Sequence, residues 1–151
     1  MQRSISDKKP LVRYFFYLGF YILYSSLGTI YPLLPPLLAV LFALYAQAMQ
    51  KENFTELLFV MAALLIFEAN YGFLLFSSII YFYVQYKLIL PKIKQNISCE
   101  VCVKIFSVTL SYLGYFFFLS LLANIFLLEA PSFSYYIVYY IVIEFFLVSL
   151  L

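Results

Sequence analysis

The chain has 151 residues, 66% of them hydrophobic, 23% aromatic and only 11% charged, with a formal charge of +2 and no histidine. Soluble domains carry about 25% charged residues, so this composition excludes a water-coated globule, and it leaves no basic face broad enough to track nucleic-acid phosphates. Without histidine the commonest general base and metal ligand are missing, so the chain is expected to be a single non-enzymatic unit in membrane lipid, with no cofactor, metal or nucleic-acid partner.

Arg3, Lys8, Lys9 and Arg13 precede the first apolar run, as in the n-region of a signal peptide, and Ala46-Gln47-Ala48 has the small-x-small form of a cleavage site. The uncharged stretch from Tyr14 to Gln50 is far longer than a signal h-region of about 7–15 residues. An uncleaved first helix is therefore expected. About 20 apolar residues cross a hydrocarbon core about 30 Å thick, so this stretch suffices for two crossings. Pro32, Pro35 and Pro36 interrupt it, each lacking a backbone donor, which predicts helices over 14–31 and 35–49. Lys51, Glu52 and Asn53 follow, and Asn53 with Glu56 has the form of a capping box opening a third helix.

Between Leu57 and Tyr86 the only charge is Glu68. One helix of that span would be about 45 Å long; the alternative is two crossings joined at Glu68–Gly72, where Asn70 and Gly72 tolerate left-handed backbone. Charge decides. Lys87, Lys92, Lys94 and Lys104 lie beyond this span, and cytoplasmic loops attract Lys and Arg. A hairpin puts them on the same side as the basic N-terminus and Lys51, and leaves the turns at Pro32–Pro36, Glu68–Gly72 and Glu129–Ser134 free of basic residues. Helices over 55–68 and 72–90 follow from it, with Glu68 in a water-facing turn. A fifth helix is expected over 102–128. Pro131 then breaks the chain, Ser132 or Ser134 caps a sixth helix over 134–151, and Tyr135, Tyr136, Tyr139 and Tyr140 form an interfacial belt at its outer end. The expected fold is all-α and polytopic: six transmembrane helices with both termini cytoplasmic.

Tyr14, Tyr17, Tyr21, Tyr24, Gly28 and Tyr31 share one helical stripe, a candidate docking face whose hydroxyls would bond a neighbouring helix. Chance is the competing explanation in a chain with 16 Tyr and 18 Phe. Ala39, Ala43 and Ala46, and Ser107, Ser111 and Gly114, form small-residue stripes that promote close packing, within the bundle rather than outside it. Glu144 lies deep in the sixth helix, where an acid is a functional hypothesis by default. It would serve a proton or substrate path, or accept a hydrogen bond from Asn124, Gln47 or a tyrosine. Cys99 and Cys102 form a CxxC that is half a zinc site at most, with no role expected. Asn53-Phe54-Thr55 and Asn96-Ile97-Ser98 match the glycosylation triplet but fall on the expected cytoplasmic side. No catalytic or metal residue is assigned.

The order of features carries a family likeness. A basic first helix leads to the Pro-containing entry Pro35-Pro36-Leu37-Leu38-Ala39-Val40-Leu41-Phe42-Ala43-Leu44-Tyr45, then to Leu58-Phe59-Val60-Met61-Ala62-Ala63-Leu64-Leu65. Glu68 and Gly72 come next, then Phe76-Ser77-Ser78-Ile79-Ile80-Tyr81-Phe82-Tyr83-Val84 with a basic exit, and two more helices. Over nearly its whole length the chain resembles the rod shape-determining protein MreD family of the bacterial elongation machinery. It departs from the family where Ala62 and Ala63 replace glycines and Glu68 replaces an aspartate. The resemblance implies a fold similar to the substrate-binding (S-component) subunits of vitamin transporters. It also implies a place in the bacterial inner membrane, binding to the bitopic protein MreC, and support of a glycan polymerase and its transpeptidase. The face carrying Glu68, Asn70 and Gly72 then becomes a candidate partner contact, beside Tyr14, Tyr17, Tyr21, Tyr24 and Gly28. A small transporter or substrate-capture subunit using Glu144 is the alternative expectation, and an accessory subunit of another membrane complex the third.

Overall fold

The computed structural model describes residues 8–129 and 135–150, with side chains from residue 11 onward, and every element in them is helical. In chain order these are α1 (Lys8–Ile30), α2 (Leu38–Gln50), α3 (Phe54–Tyr71), α4 (Ser77–Val84), a π-helical segment (Gln85–Ile89), α5 (Leu90–Asn96), α6 (Glu100–Phe126) and α7 (Tyr136–Leu150). α4, the π segment and α5 run on without a break, so the described residues form six rods. α3 and α6 are long and apolar enough to cross a membrane by length and composition, and α2 and α7 are shorter apolar helices.

Local chemistry explains the boundaries. Pro10 lies in the first turn of α1, where a missing N–H breaks no intrahelical bond. α2 starts three residues later than expected, at Leu38, because a proline drives its predecessor out of the helical region and Leu37 is left-handed at φ 59°. Pro91 sits in the first turn of α5 directly after the π segment. A wider i→i+5 turn there relieves the clash a proline ring makes with the preceding turn. The expected capping box does not form: Asn53 makes no side-chain cap bond, and Glu56 instead accepts the Tyr14 hydroxyl at 2.6 Å. The break expected at Pro131, with Ser132 or Ser134 as cap, lies outside the described residues.

The third helix continues through Glu68 to Tyr71 instead of ending at Glu68, and the turn occupies the residues after it. Gly72, at φ 69°, and Phe73 both donate their N–H groups to the Glu68 carbonyl, ending α3. Side-chain pairings fix the direction of each rod. Tyr14 meets Phe59 and Asn70 meets Ser25, so α1 and α3 run parallel. Phe42 meets Phe82 and Tyr45 meets Tyr86, so α2 and α4 also run parallel. Tyr81 bonds the Leu110 carbonyl and Gln85 that of Ser107, which sets α6 antiparallel to α4. The chain therefore does reverse after residue 71, and the starts of α1, α3 and α6 share one end with the exits of α2 and α5. Arg13, Lys51, Lys92, Lys94 and Lys104 gather at that end.

The interior is aromatic. Phe82, Leu64, Tyr45 and Phe42 are at most 3% exposed, and the Phe42–Phe82 pair is T-shaped with centroids 5.2 Å apart, a geometry worth about 0.5–1.5 kcal/mol beyond its buried area. Gly114 is required by this packing. A Cβ there would lie 2.9 Å from Cζ of Tyr81 and nearer still to its hydroxyl.

Candidate functional site

Two helices begin badly on their own. α2 follows Leu37 and α4 follows Phe76, both left-handed residues, at φ 59° and 67°, with no side-chain cap. Such backbone costs an L-residue roughly 1–2 kcal/mol, and the first amides of each helix need acceptors. Each helix receives a buried glutamate from another element. Glu144 of α7 accepts from the Ala39 and Val40 amides at 2.6 and 3.2 Å and from the Tyr112 hydroxyl. These amides are the ones a conventional N-cap side chain would hold. Glu68 of α3 accepts from the Phe76 and Ser78 amides at 2.7 and 2.6 Å, and from the Ser78 and Ser77 hydroxyls at 2.6 and 3.2 Å. Both glutamates are 0% exposed.

Glu68 is thus not the water-facing residue the composition of the turn suggests. Ala69 and Asn70 after it are exposed, but Glu68 and Phe67 are buried, and Glu68 faces Ser77, Ser78 and Tyr115, whose hydroxyl lies 3.1 Å from Ser77 Oγ. For Glu144 the tyrosine partner forms. Asn124 is exposed and Gln47 lies elsewhere, on the wall of a cavity.

The segment between α1 and α2 is held by the same logic. Its prolines lack donors, and their carbonyls are satisfied by tyrosines: Tyr24 donates to Pro35 at 2.8 Å, Tyr21 to Pro36 at 3.5 Å, and Tyr140 to Pro32. The tyrosine stripe of α1 is therefore a docking face, but what it docks is its own chain. Tyr14 reaches Glu56, Gly28 admits the Tyr71 hydroxyl 3.2 Å from where a Cβ would sit, and Asn70 donates to Ser25 at 2.7 Å. Tyr17 and Tyr31 stay exposed, the former under the Arg13 guanidinium. Gly72 serves the turn.

At the basic end, α2, α5, α6 and α7 part around a cavity of about 560 Å³, within the range of small-molecule sites. Ala39, Ala43 and Ala46 line it, together with Ser107, Val108 and Val148, while Lys94, Glu100 and Lys104 stand at its charged end. The alanine stripe thus borders a space between helices, with Ala39 buried at its inner end. Ser111 and Gly114, by contrast, pack against Gln85 and Tyr81.

Cys99 and Cys102 are joined to each other by a disulfide at the start of α6, so neither is a free metal ligand. No cluster of metal-binding side chains occurs among the described residues.

Three further features escaped the sequence reading. Gln85 is buried in the π segment with Nε2 on Ser107 and no partner for Oε1. The serine pair Ser77-Ser78 opens α4 at residue 77, five residues later than the expected start at 72, and serines after a turn are the signal that could have placed it. Gly19, on the outer side of α1, has nothing within 4 Å of a Cβ position. No family model, no curated protein and no solved structure matches this chain.

Proposed function

We propose that this chain is a multi-pass protein of the bacterial inner membrane, with six crossings and both ends cytoplasmic, that acts as a non-enzymatic scaffold. Its partner is a bitopic MreC-like protein, and through it the chain supports peptidoglycan synthesis and cell shape alongside a glycan polymerase and its transpeptidase. The gathering of basic residues at one end supports this orientation. The tyrosine-satisfied proline segment supports a place in lipid, since irregular backbone is tolerated at membrane depth only where its polar groups find partners.

The observation that carries the scaffold reading is the outer side of α1. Phe16, Phe20 and Leu23 are 74%, 65% and 68% exposed, and Gly19 lies among them with open space around it. Glycine inside a helix costs about 1 kcal/mol relative to alanine, and nothing within the described chain uses this one. A small residue on an open helix face lets a second helix approach closely in lipid, where packing drives association. Gly19→Leu should abolish co-purification with a co-expressed MreC-like bitopic protein while the unfolding midpoint of the chain alone is kept or slightly raised, since leucine is the better helix former and meets open space there. Retained complex in that variant refutes the assignment. Gly28→Leu is the contrasting variant, because it strikes Tyr71 and destabilises the chain itself.

A small-molecule transporter or capture subunit is the second reading, favoured by the cavity between α2, α5, α6 and α7.

A further inference from the structure

We infer that the cavity at the basic end binds an amphiphile with a phosphate head: a membrane phospholipid whose tail enters between α2, α6 and α7 and whose phosphate rests between Lys94 and Lys104. This is independent of the scaffold reading and concerns a different face of the molecule.

The walls are graded along their length. On α2 the lining passes from Ala39, Ala43 and Ala46 to Gln47 and Gln50 as the helix approaches the basic end. At about 1.5 Å of rise per residue, that wall is about 16 Å deep. The three alanines present only methyl groups to this space, and with Phe42, Val108 and Val148 they make its apolar lining. Every charged lining residue stands at the mouth, where the described residues give Lys94, Lys104 and Glu100 no ion pair. A long apolar body with a small charged head matches that gradient, and a free ion or a wholly apolar molecule does not. Two ammonium groups facing one carboxylate leave one positive charge unmatched. A head with a single phosphate fits that balance, and Glu100 repels a polyanion or meets the amine of an ethanolamine head. The slot also ends beside the Glu144 cap, since Ala39 is both a lining residue and the nearest donor to that carboxyl group.

The test uses the full chain, purified in an uncharged maltoside detergent and stripped of lipid, with the thermal unfolding midpoint as readout. Lysophosphatidylethanolamine well above its dissociation constant should raise the midpoint by about 5–10 °C. An uncharged monoacylglycerol of the same chain length and inorganic phosphate alone should each leave it unmoved. In the Lys94→Gln/Lys104→Gln variant the response should fall to that of the monoacylglycerol. Ala46→Leu, which fills the slot, should lose the response while its own midpoint without lipid stays near that of the parent chain. An equal shift with inorganic phosphate makes this a free-anion site, and an equal shift with the monoacylglycerol makes it a slot indifferent to charge. Either result, or no shift with the lysophospholipid, overturns the inference.

Discussion

The two buried glutamates do the same work over very different distances in the chain. Glu68 reaches the amides of Phe76 and Ser78, eight and ten residues away, and thereby stitches one hairpin. Glu144 reaches Ala39 across 105 residues and ties the last helix to the second. The first contact needs only its own turn to form. The second needs the bundle, because α7 must already lie against α2 and α6 before Tyr112, Ala39 and Val40 converge on one carboxyl group. A helix start with a left-handed hydrophobic residue is thus repaired locally in one place and by long-range assembly in the other.

That contrast can be broken by substitution. Glu68→Ala removes the acceptor of two amides and two hydroxyls. It should cost about 4 kcal/mol, since orphaned buried donors cost about 1–3 kcal/mol each and the serine hydroxyls can turn elsewhere. Unfolding in detergent micelles measures it. Glu144→Ala should cost slightly less, about 3 kcal/mol, with fewer donors left stranded. Hydrogen exchange separates the two: Glu68→Ala exposes the Phe76 and Ser78 amides and spares Ala39 and Val40, and Glu144→Ala does the reverse. If each variant deprotects both sets, the hairpin is not an independent unit. The smallest effect is expected from Tyr24→Phe, which deletes one bond to the Pro35 carbonyl and should cost about 1 kcal/mol without altering exchange at either cap.

Much of the architecture was legible before folding was considered. Proline at 32, 35 and 36, glycine at 72 and the distribution of Lys and Arg suffice to divide the chain and to reverse it near residue 70, because these features act through local backbone and charge. Facing was not legible in the same way. In a chain this apolar, residues on the inside and the outside of a helix look alike, so the tyrosine stripe could be seen as a face without showing which surface it meets. The alanine stripe likewise showed a packing face without showing that Ala43 and Ala46 border a cavity while Ala39 is buried. Glu56 matched a capping pattern, yet Tyr14 of another helix took its carboxylate.

Composition and punctuation alone determined an all-helical chain of alternating rods that brings Arg13, Lys51, Lys92, Lys94 and Lys104 to one end, since turns and helix length depend on neighbours a few residues apart. Only the tertiary structure decided where Glu68 and Glu144 point, what the tyrosine hydroxyls bond and where space remains between helices. Those outcomes depend on donors and acceptors up to 108 residues apart meeting in one place, and a linear pattern carries no record of such meetings.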